Sequence, residues 1–220
     1  MRKWLLIWCC VLLCVAAPAS VQGEGRYERK EYTLEPGTVQ HIRMELRDRE
    51  IQVTDSPDEQ MHVIFYENTK EYYDLTYPAK DTLEIQWVSN KSWLDYIGGK
   101  APEHARTVIL QVPQTSLETL QLSTTNGDIV MGNTAITRSI TLESNGGNIL
   151  LENLYPAQEI SLTTKNGNVT GTINAGYDDY RINAETKKGE CNLPQEKSRG
   201  EKQLTVCCNH GDVELQLIAE

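Results

Sequence analysis

Between Leu117 and Leu217 the chain repeats one arrangement of apolar and polar positions five times. Each unit runs apolar-x-apolar-x-small, then a turn ending in glycine, one polar residue and a further apolar residue. The turn glycines are Gly127, Gly147, Gly167, Gly189 and Gly211, spaced 20, 20, 22 and 22 residues apart. A fixed period near 20 marks a solenoid, in which stacked units bury together what no single unit can bury.

Counted from the glycine as zero, position −7 holds Leu120, Ile140, Ile160, Ile182 and Leu204. Position −5 holds Leu122, Leu142, Leu162, Ala184 and Val206, and position −3 holds Thr124, Ser144, Thr164, Thr186 and Cys208. Beyond the turn, +2 holds Ile129, Ile149, Val169, Cys191 and Val213, and +4 holds Met131, Leu151, Gly171, Leu193 and Leu215. Inward residues two apart fit a pleated strand. Because −3 and +2 differ by an odd number, the turn must arch for both flanking strands to face one interior. Glycine suits such an arch because it has no Cβ to clash. Stacked in chain order, each column becomes a ladder of like residues about 4.8 Å apart.

Position +1 is polar and outward, with Asp128, Asn148, Asn168, Glu190 and Asp212. Asn, Asp and Gly are turn formers. Glu190 and Asp212 fall on adjacent rungs and make a cation candidate, although Ca²⁺ takes six or more oxygens and Lys188 and His210 flank the pair. A leucine-rich repeat explains Leu117-x-x-Leu120-x-Leu122, but Asn126 comes one place late for it. A β-propeller needs a period near 40.

From residue 24 to 113 the same grammar runs with less regularity, giving an irregular β half ahead of five regular rungs over 114–220. Alternating stretches such as Met61–Phe65 and Leu83–Trp87 are broken by Pro, Gly and Asp clusters, the signal of strands joined by turns. Val88–Arg106 breaks the rhythm and carries Trp93, Tyr96 and Ile97. Long loops are often functional. It is either an aromatic binding loop at Trp93 and Tyr96 or a flap covering apolar edge strands. Thr107–Val112 is a strong strand closed by Pro113.

The N-terminus adds an export signal. Met1-Arg2-Lys3 precedes the apolar run Trp4–Ala17, and Ala17-Pro18-Ala19 offers cleavage after residue 19, with Gly23 as a second exit. This is a signal peptide. The run is short of the roughly 20 residues of a membrane span, although retention as an anchor is the other reading; once the signal is cleaved, no transmembrane helix is expected. The formal net charge of −10 becomes −12 once Arg2 and Lys3 leave. That argues against nucleic acid, whose phosphates are bound by Lys and Arg that release counterions. Export permits disulfides. Of six cysteines, Cys191, Cys207 and Cys208 lie beyond the signal. Cys191 and Cys208 occupy inner columns of neighbouring rungs and are expected to pair, leaving Cys207 outward and free.

No metal-ligand spacing joins His41, His62, His104 and His210. No nucleophile elbow, phosphate loop or dinucleotide fingerprint appears, and no cofactor is expected.

The strand ending in Val112-Pro113, followed by Leu117-Glu-Thr-Leu120-Gln-Leu122-Ser-Thr-Thr-Asn126-Gly127-Asp128-Ile129, resembles the bacterial putative-adhesin family of unknown function (the DUF4097 type). Ile140–Ile149 and Ile160–Val169 repeat the match, and the last two turns depart from it. The resemblance implies an all-β, single-chain, right-handed β-solenoid at the cell envelope, and brings no catalytic residue.

The expected role is non-catalytic binding or scaffolding of an envelope component, glycan or protein. One alternative is an accessory or sensory module of a membrane partner. A polysaccharide-active enzyme is the other; it needs carboxylates about 5–9.5 Å apart. Stacked in chain order, Asp128 and Asp212 lie four rungs apart, roughly 19 Å at about 4.8 Å per rung. The last rung has no evident cap, so end-to-end self-association, or a cap of Ile218 on the N-terminal half, is expected.

Overall fold

The computed structural model describes residues 26–96, 101–114 and 117–219. The apolar run Trp4–Ala17 and its cleavage sites lie outside the described residues, as do Ile97 and the side chain of Tyr96.

The period-two alternation becomes strands throughout. In order they are β1 Glu28–Leu34, β2 His41–Glu45, β3 Glu50–Asp55, β4 Met61–Glu67, β5 Glu71–Ala79 and β6 Thr82–Ser89. Next come β7 Thr107–Val112, β8 Leu117–Thr124, β9 Ile129–Met131, β10 Ile136–Ser144, β11 Ile149–Leu154 and β12 Glu159–Asn166. The last are β13 Val169–Ile173, β14 Tyr180–Lys188, β15 Glu196–Lys197, β16 Lys202–His210 and β17 Val213–Leu217. Among the described residues helix is confined to 3₁₀ turns at Trp93–Tyr96, Glu103–Arg106 and Tyr177–Asp179.

Two sheets face each other across one core. One has the order β1-β4-β7-β3-β9-β11-β13-β17 and the other β15-β14-β16-β12-β10-β8-β2-β6-β5. A rung is one strand from each sheet joined by the arch, as in β10 and β11. All five inward columns face the core: Leu122, Leu142, Leu162 and Val206 are each wholly buried, as are Ile129, Ile149 and Val169. Neighbouring rungs stack parallel and in register, with Leu142 beside both Leu122 and Leu162.

The irregular half is more regular than its sequence reads. β2–β3 is a rung in full register, with Ile42, Met44, Ile51 and Val53 in the inward columns beside Leu120, Leu122, Ile129 and Met131. Arg49 takes the place of its turn glycine. β6 and β7 form another rung, whose arch is the long 88–106 segment. The described residues thus make seven rungs, counting β14 with the single bridge from Cys191 to Val213.

These rungs do not stack in chain order. β2–β3 lies between β6–β7 and β8–β9, so the first rung in sequence is second in space. At the other end β16 lies between β12 and β14, so the last rung is inserted beside the third regular one. Both outermost rungs therefore come from inside the chain.

Each end is closed by antiparallel strands. β4 and β5 run against β7 and β6, and β1, with its Glu-Arg-Lys-Glu edge, runs against β4. The Tyr32 and Tyr77 hydroxyls, 3.0 Å apart, bridge the two outermost strands across this end. At the far end β15 pairs against β14. The Asn192 side chain imitates a strand edge for β17: its amide donates to the Leu215 carbonyl at 2.8 Å, and its oxygen accepts from the Leu215 N–H at 3.0 Å. Charged and covered edges resist pairing with other chains. The expected Ile218 cap does not form. Ile218 instead extends the pairing on β13, its N–H donating to the Ile173 carbonyl at 3.0 Å, and its side chain is exposed.

Candidate functional site

The arch corner gathers the polar residues that the sequence singles out. Two ladders of side-chain hydrogen bonds run along it. In the outer one, the Asp128 carboxylate accepts from the Asn148 N–H at 2.7 Å, and the Asn148 side-chain oxygen accepts from the Asn168 N–H at 2.9 Å. Asn168 accepts from the Asp212 N–H at 2.9 Å, and Asp212 from the Glu190 N–H at 2.8 Å. In the inner ladder the −3 hydroxyls donate to the preceding arch. Thr124 reaches the Arg49 carbonyl at 2.7 Å, Ser144 the Gly127 carbonyl at 3.0 Å and Thr164 the Gly147 carbonyl at 3.1 Å. Thr186 reaches the Gly211 carbonyl at 3.2 Å.

Glycine is needed where arches lie this close. A Cβ on Gly147 would stand 2.0 Å from the Gly127 carbonyl oxygen, and one on Gly211 2.2 Å from that of Gly167. No real Cβ approaches backbone so closely, so the corner cannot close with a side chain at zero.

The +1 column is thereby structural. Asp128 and Asp212 are three rung steps apart, not four, because β16–β17 stacks directly on β12–β13. At about 4.8 Å per step that is roughly 14 Å, still too far for paired carboxylates. Glu190 and Asp212 are on adjacent rungs as expected, with one Asp212 oxygen already accepting from Glu190. Among the described residues no group of three or more His, Cys, Asp or Glu is placed to hold a metal ion, so the pair stands as two carboxylates alone.

Cys191, Cys207 and Cys208 are free thiols, so the expected Cys191–Cys208 bridge is not formed in this structure. The inward and outward assignment holds: Cys208 is buried and Cys207 exposed. Cys208 lies 3.4 Å from the Gly167 carbonyl and 3.2 Å from that of Gly211, taking the threonine's place in the inner ladder. Burial pushes its thiol pKa up, which disfavours the reactive thiolate. The Cys191 thiol contacts the Leu193 carbonyl at 3.6 Å.

A buried polar cluster at the other end of the corner was not anticipated. Arg49 and Glu71 are 3 % and 5 % exposed and form an ion pair at 3.3 Å. Glu71 also pairs with Lys91 at 2.9 Å and accepts from the Tyr27 hydroxyl. The Arg49 guanidinium lies 5.2 Å from the Trp87 ring centroid, a cation–π contact. Burial pushes the Tyr73 hydroxyl up to about 12. Arg49 Nε and Nη2, Tyr73 Oη, Trp87 Nε1 and Arg106 Nε are buried without a hydrogen bond. Arg49 was legible in outline: Ile42, Met44, Ile51 and Val53 fit the repeat columns once arginine is allowed at zero. Glu71 left no comparable signal.

The 88–106 arch divides in two. Its second part covers the fold, with Ala101 and Ala105 buried and His104 edge-on to Tyr66 at 5.3 Å between centroids. Its first part does not. Trp93 is 74 % exposed and Leu94 57 %, so these residues cover no edge strand. The turn carrying them is pinned by Asp95, whose carboxylate takes the Lys70 ammonium and, at 2.8 Å each, the Ser92 N–H and hydroxyl. The Lys70 hydrogen bond, with those from Ser92, holds the Asp95 carboxyl down at about 2.

A polar groove of about 550 Å³ opens where β15 turns beside β14, lined by Arg181, Asn183, Gln195, Glu196, Lys197 and Gln203. The Lys197 ammonium is already engaged, donating at 2.8 Å to the carbonyls of Tyr180 and Arg199.

Two facing sheets of in-register parallel rungs, pinned by glycine arches and side-chain ladders, define a β-solenoid-type scaffold rather than a closed barrel. The Toastrack DUF4097 family profile matches residues 39–175, and the chain belongs to that family. The match runs from the β2–β3 rung to the end of β13. Among solved structures, a "putative cell adhesion protein" from Clostridium sporogenes is similar at 15 % identity and a TM-score of 0.62, over 87 % of this chain and 100 % of its own. A "putative adhesin" from Bacteroides fragilis is similar at 10 % identity and a TM-score of 0.37, over 90 % of this chain and 100 % of its own. No curated protein matches.

Proposed function

We propose that the chain is an exported cell-envelope scaffold that acts by binding, through its long polar sheet faces, and not by catalysis. The observation that carries this is the use of the corner's polar groups. Asp128, Asn148, Asn168 and Asp212 each hold the backbone of the next rung, which leaves the corner tied together and the Asp128 and Asp212 carboxylates already engaged. The N-terminal charged and apolar run supports export, and the family's adhesin name agrees with a binding role. Among the described residues no helix is long and apolar enough to cross a membrane.

The test is binding of the purified protein to cell-wall glycan arrays and to envelope proteins in pull-downs. Retention by one envelope component, at an affinity that survives Asp212→Asn, is expected. Turnover of a uronate polymer that Asp212→Asn abolishes would replace this reading with the enzymatic one. The closed ends at β1 and β15 support a scaffold that does not stack end to end, and sedimentation should stay monomeric across concentration.

The exposure of Trp93 and Leu94 favours a second reading, an accessory or sensory module beside a membrane partner. Loss of a co-purifying membrane protein on Trp93→Ala, with envelope binding unchanged, would select it.

A further inference from the structure

We propose that the apolar run Trp4–Ala17 is kept as a membrane anchor and that the end of the stack built by β1, β5 and the Trp93–Tyr96 turn faces that bilayer, with Trp93 and Leu94 seated at its headgroup boundary. This goes beyond the binding role, because it concerns how the scaffold is oriented and not what its faces recognise.

The first observation is where the chain comes out of the fold. The last described residues toward the N-terminus are Arg26 and Tyr27, and the Tyr27 hydroxyl rests on Glu71. Glu71 follows Lys70, whose ammonium holds Asp95 at the base of the tip, and Glu71 also pairs with Lys91, two residues before Trp93. Tyr27 and the base of the tip thus share one corner of the fold. Eight residues, Pro18–Gly25, separate that corner from the 14-residue apolar run Trp4–Ala17. Fully extended they reach at most about 29 Å, so a bilayer holding the run lies close to the tip.

The second observation is what the corner displays. Trp93 and Leu94 are the two most exposed large apolar side chains among the described residues, and Tyr32 and Tyr77 are exposed on the same end. Trp and Tyr are the residues favoured at a membrane interface, where one part of the ring is apolar and the other polar. The tip is also pre-ordered, since Asp95 fixes its turn through Lys70 and Ser92. At the opposite end Tyr177 is as exposed as Tyr77 but lies against the Lys197 ammonium at 4.8 Å, and among the described residues no tryptophan stands there.

The charges say which lipid. Asp95 is matched by Lys70, and Glu71 by Arg49 and Lys91. With a formal net charge of −10, the protein has no electrostatic reason to seek an anionic surface. Seating is therefore apolar, works on neutral lipid and resists salt.

The test uses the full-length chain, residues 1–25 included, reconstituted in phosphatidylcholine vesicles with and without lipids brominated near the top of their acyl chains. The emission difference between wild type and Trp93→Phe isolates Trp93 from Trp4, Trp8 and Trp87. That component should lose at least half its intensity to brominated lipid, and should keep this quenching in molar salt. Leu94→Asp should abolish the quenching while moving Tm by no more than about 2 °C, as exposed substitutions do. A Trp93 component that bromolipid leaves bright and iodide quenches freely overturns the proposal. So does quenching in Leu94→Asp equal to wild type, or release by salt. Shielding of Trp93 from iodide without vesicles would mean that residues 4–17 or a second copy cover it instead. Recovery of the cellular protein only as a soluble chain beginning at Ser20 or Glu24 overturns it as well. None of these outcomes bears on glycan or protein binding by the sheet faces.

Discussion

The Cys208 thiol lies 3.4 Å from the Gly167 carbonyl oxygen, in the position where Thr124, Ser144, Thr164 and Thr186 each place a hydroxyl on the arch of the preceding rung. The thiol is a stand-in donor in a ladder of hydroxyls. Cys208→Thr should therefore fold normally, with stability within about 1 kcal/mol of wild type. Thr164→Val keeps the shape and removes the donor, so it should cost about 1–2 kcal/mol, read as a drop in thermal midpoint. In the native protein Cys207 should react with a thiol reagent well before buried Cys208, followed by mass mapping.

Gly147→Ala should prevent the arches from closing, because its Cβ would meet backbone at 2.0 Å, and backbone cannot move aside. A loss above about 3 kcal/mol is expected, seen as poor soluble yield or a collapsed thermal midpoint. Gly37→Ala is the control. Its φ of 72° is costly for alanine, but nothing lies within 4 Å, so the loss should stay near 1 kcal/mol.

Asn168 sits mid-ladder, taking the Asp212 N–H at 2.9 Å. Asn168→Ala should cost about 1 kcal/mol. Asn168→Asp keeps the acceptor but sets a carboxylate beside Asp212, so its cost should grow as ionic strength falls. Denaturant titration at low and high salt separates the two variants.

Arg49→Ala removes the buried partner of Glu71 and the cation over Trp87. Glu71 keeps Lys91 at 2.9 Å, so the loss should lie near the lower bound for a broken buried pair, about 3 kcal/mol. Urea unfolding measures it.

The pin on the tip should release in acid. The Asp95 carboxyl is lowered from 3.8 to about 2, chiefly by its hydrogen bond to Lys70. A depressed acid contributes fully above its unfolded value and loses that contribution as pH falls through its folded value. The contact should thus be complete above about pH 4 and fail toward pH 2. Trp93 emission and amide exchange at Ser92 should follow that titration in wild type and lose it in Asp95→Asn.

Much of this was legible from the chain alone, for identifiable reasons. The columns at −7, −5, −3, +2 and +4 were read correctly because burial on a pleated strand imposes a period of two, and the glycine arch shifts its parity. The outward place of Cys207 followed from the same parity. The β2–β3 rung was read as irregular because Arg49 stands where every regular rung has glycine. The disulfide expectation failed because column position sets which way a cysteine points, not whether two sulfurs come within bonding distance. Nothing in the pattern of Glu71, Lys91 and Tyr27 announced a shared buried site, since their separations in sequence follow no period.

The sequence by itself determined which residues face the core, where the arches fall and that the units stack. Only the tertiary structure decided which unit stacks on which. A periodic column of Leu, Ile and Val offers nearly the same surface on every rung, so hydrophobic matching does not rank the neighbours. What ranks them is aperiodic. Asn192 and β15 close the end formed by β14, so the last rung, β16–β17, goes between β14 and β12 and meets a matched rung on both sides. At the other end β4 and β5 pair against β7 and β6, which leaves β2–β3 to meet the regular stack. The same closure sets the base of the Trp93 tip on the corner that Tyr27 and Glu71 share.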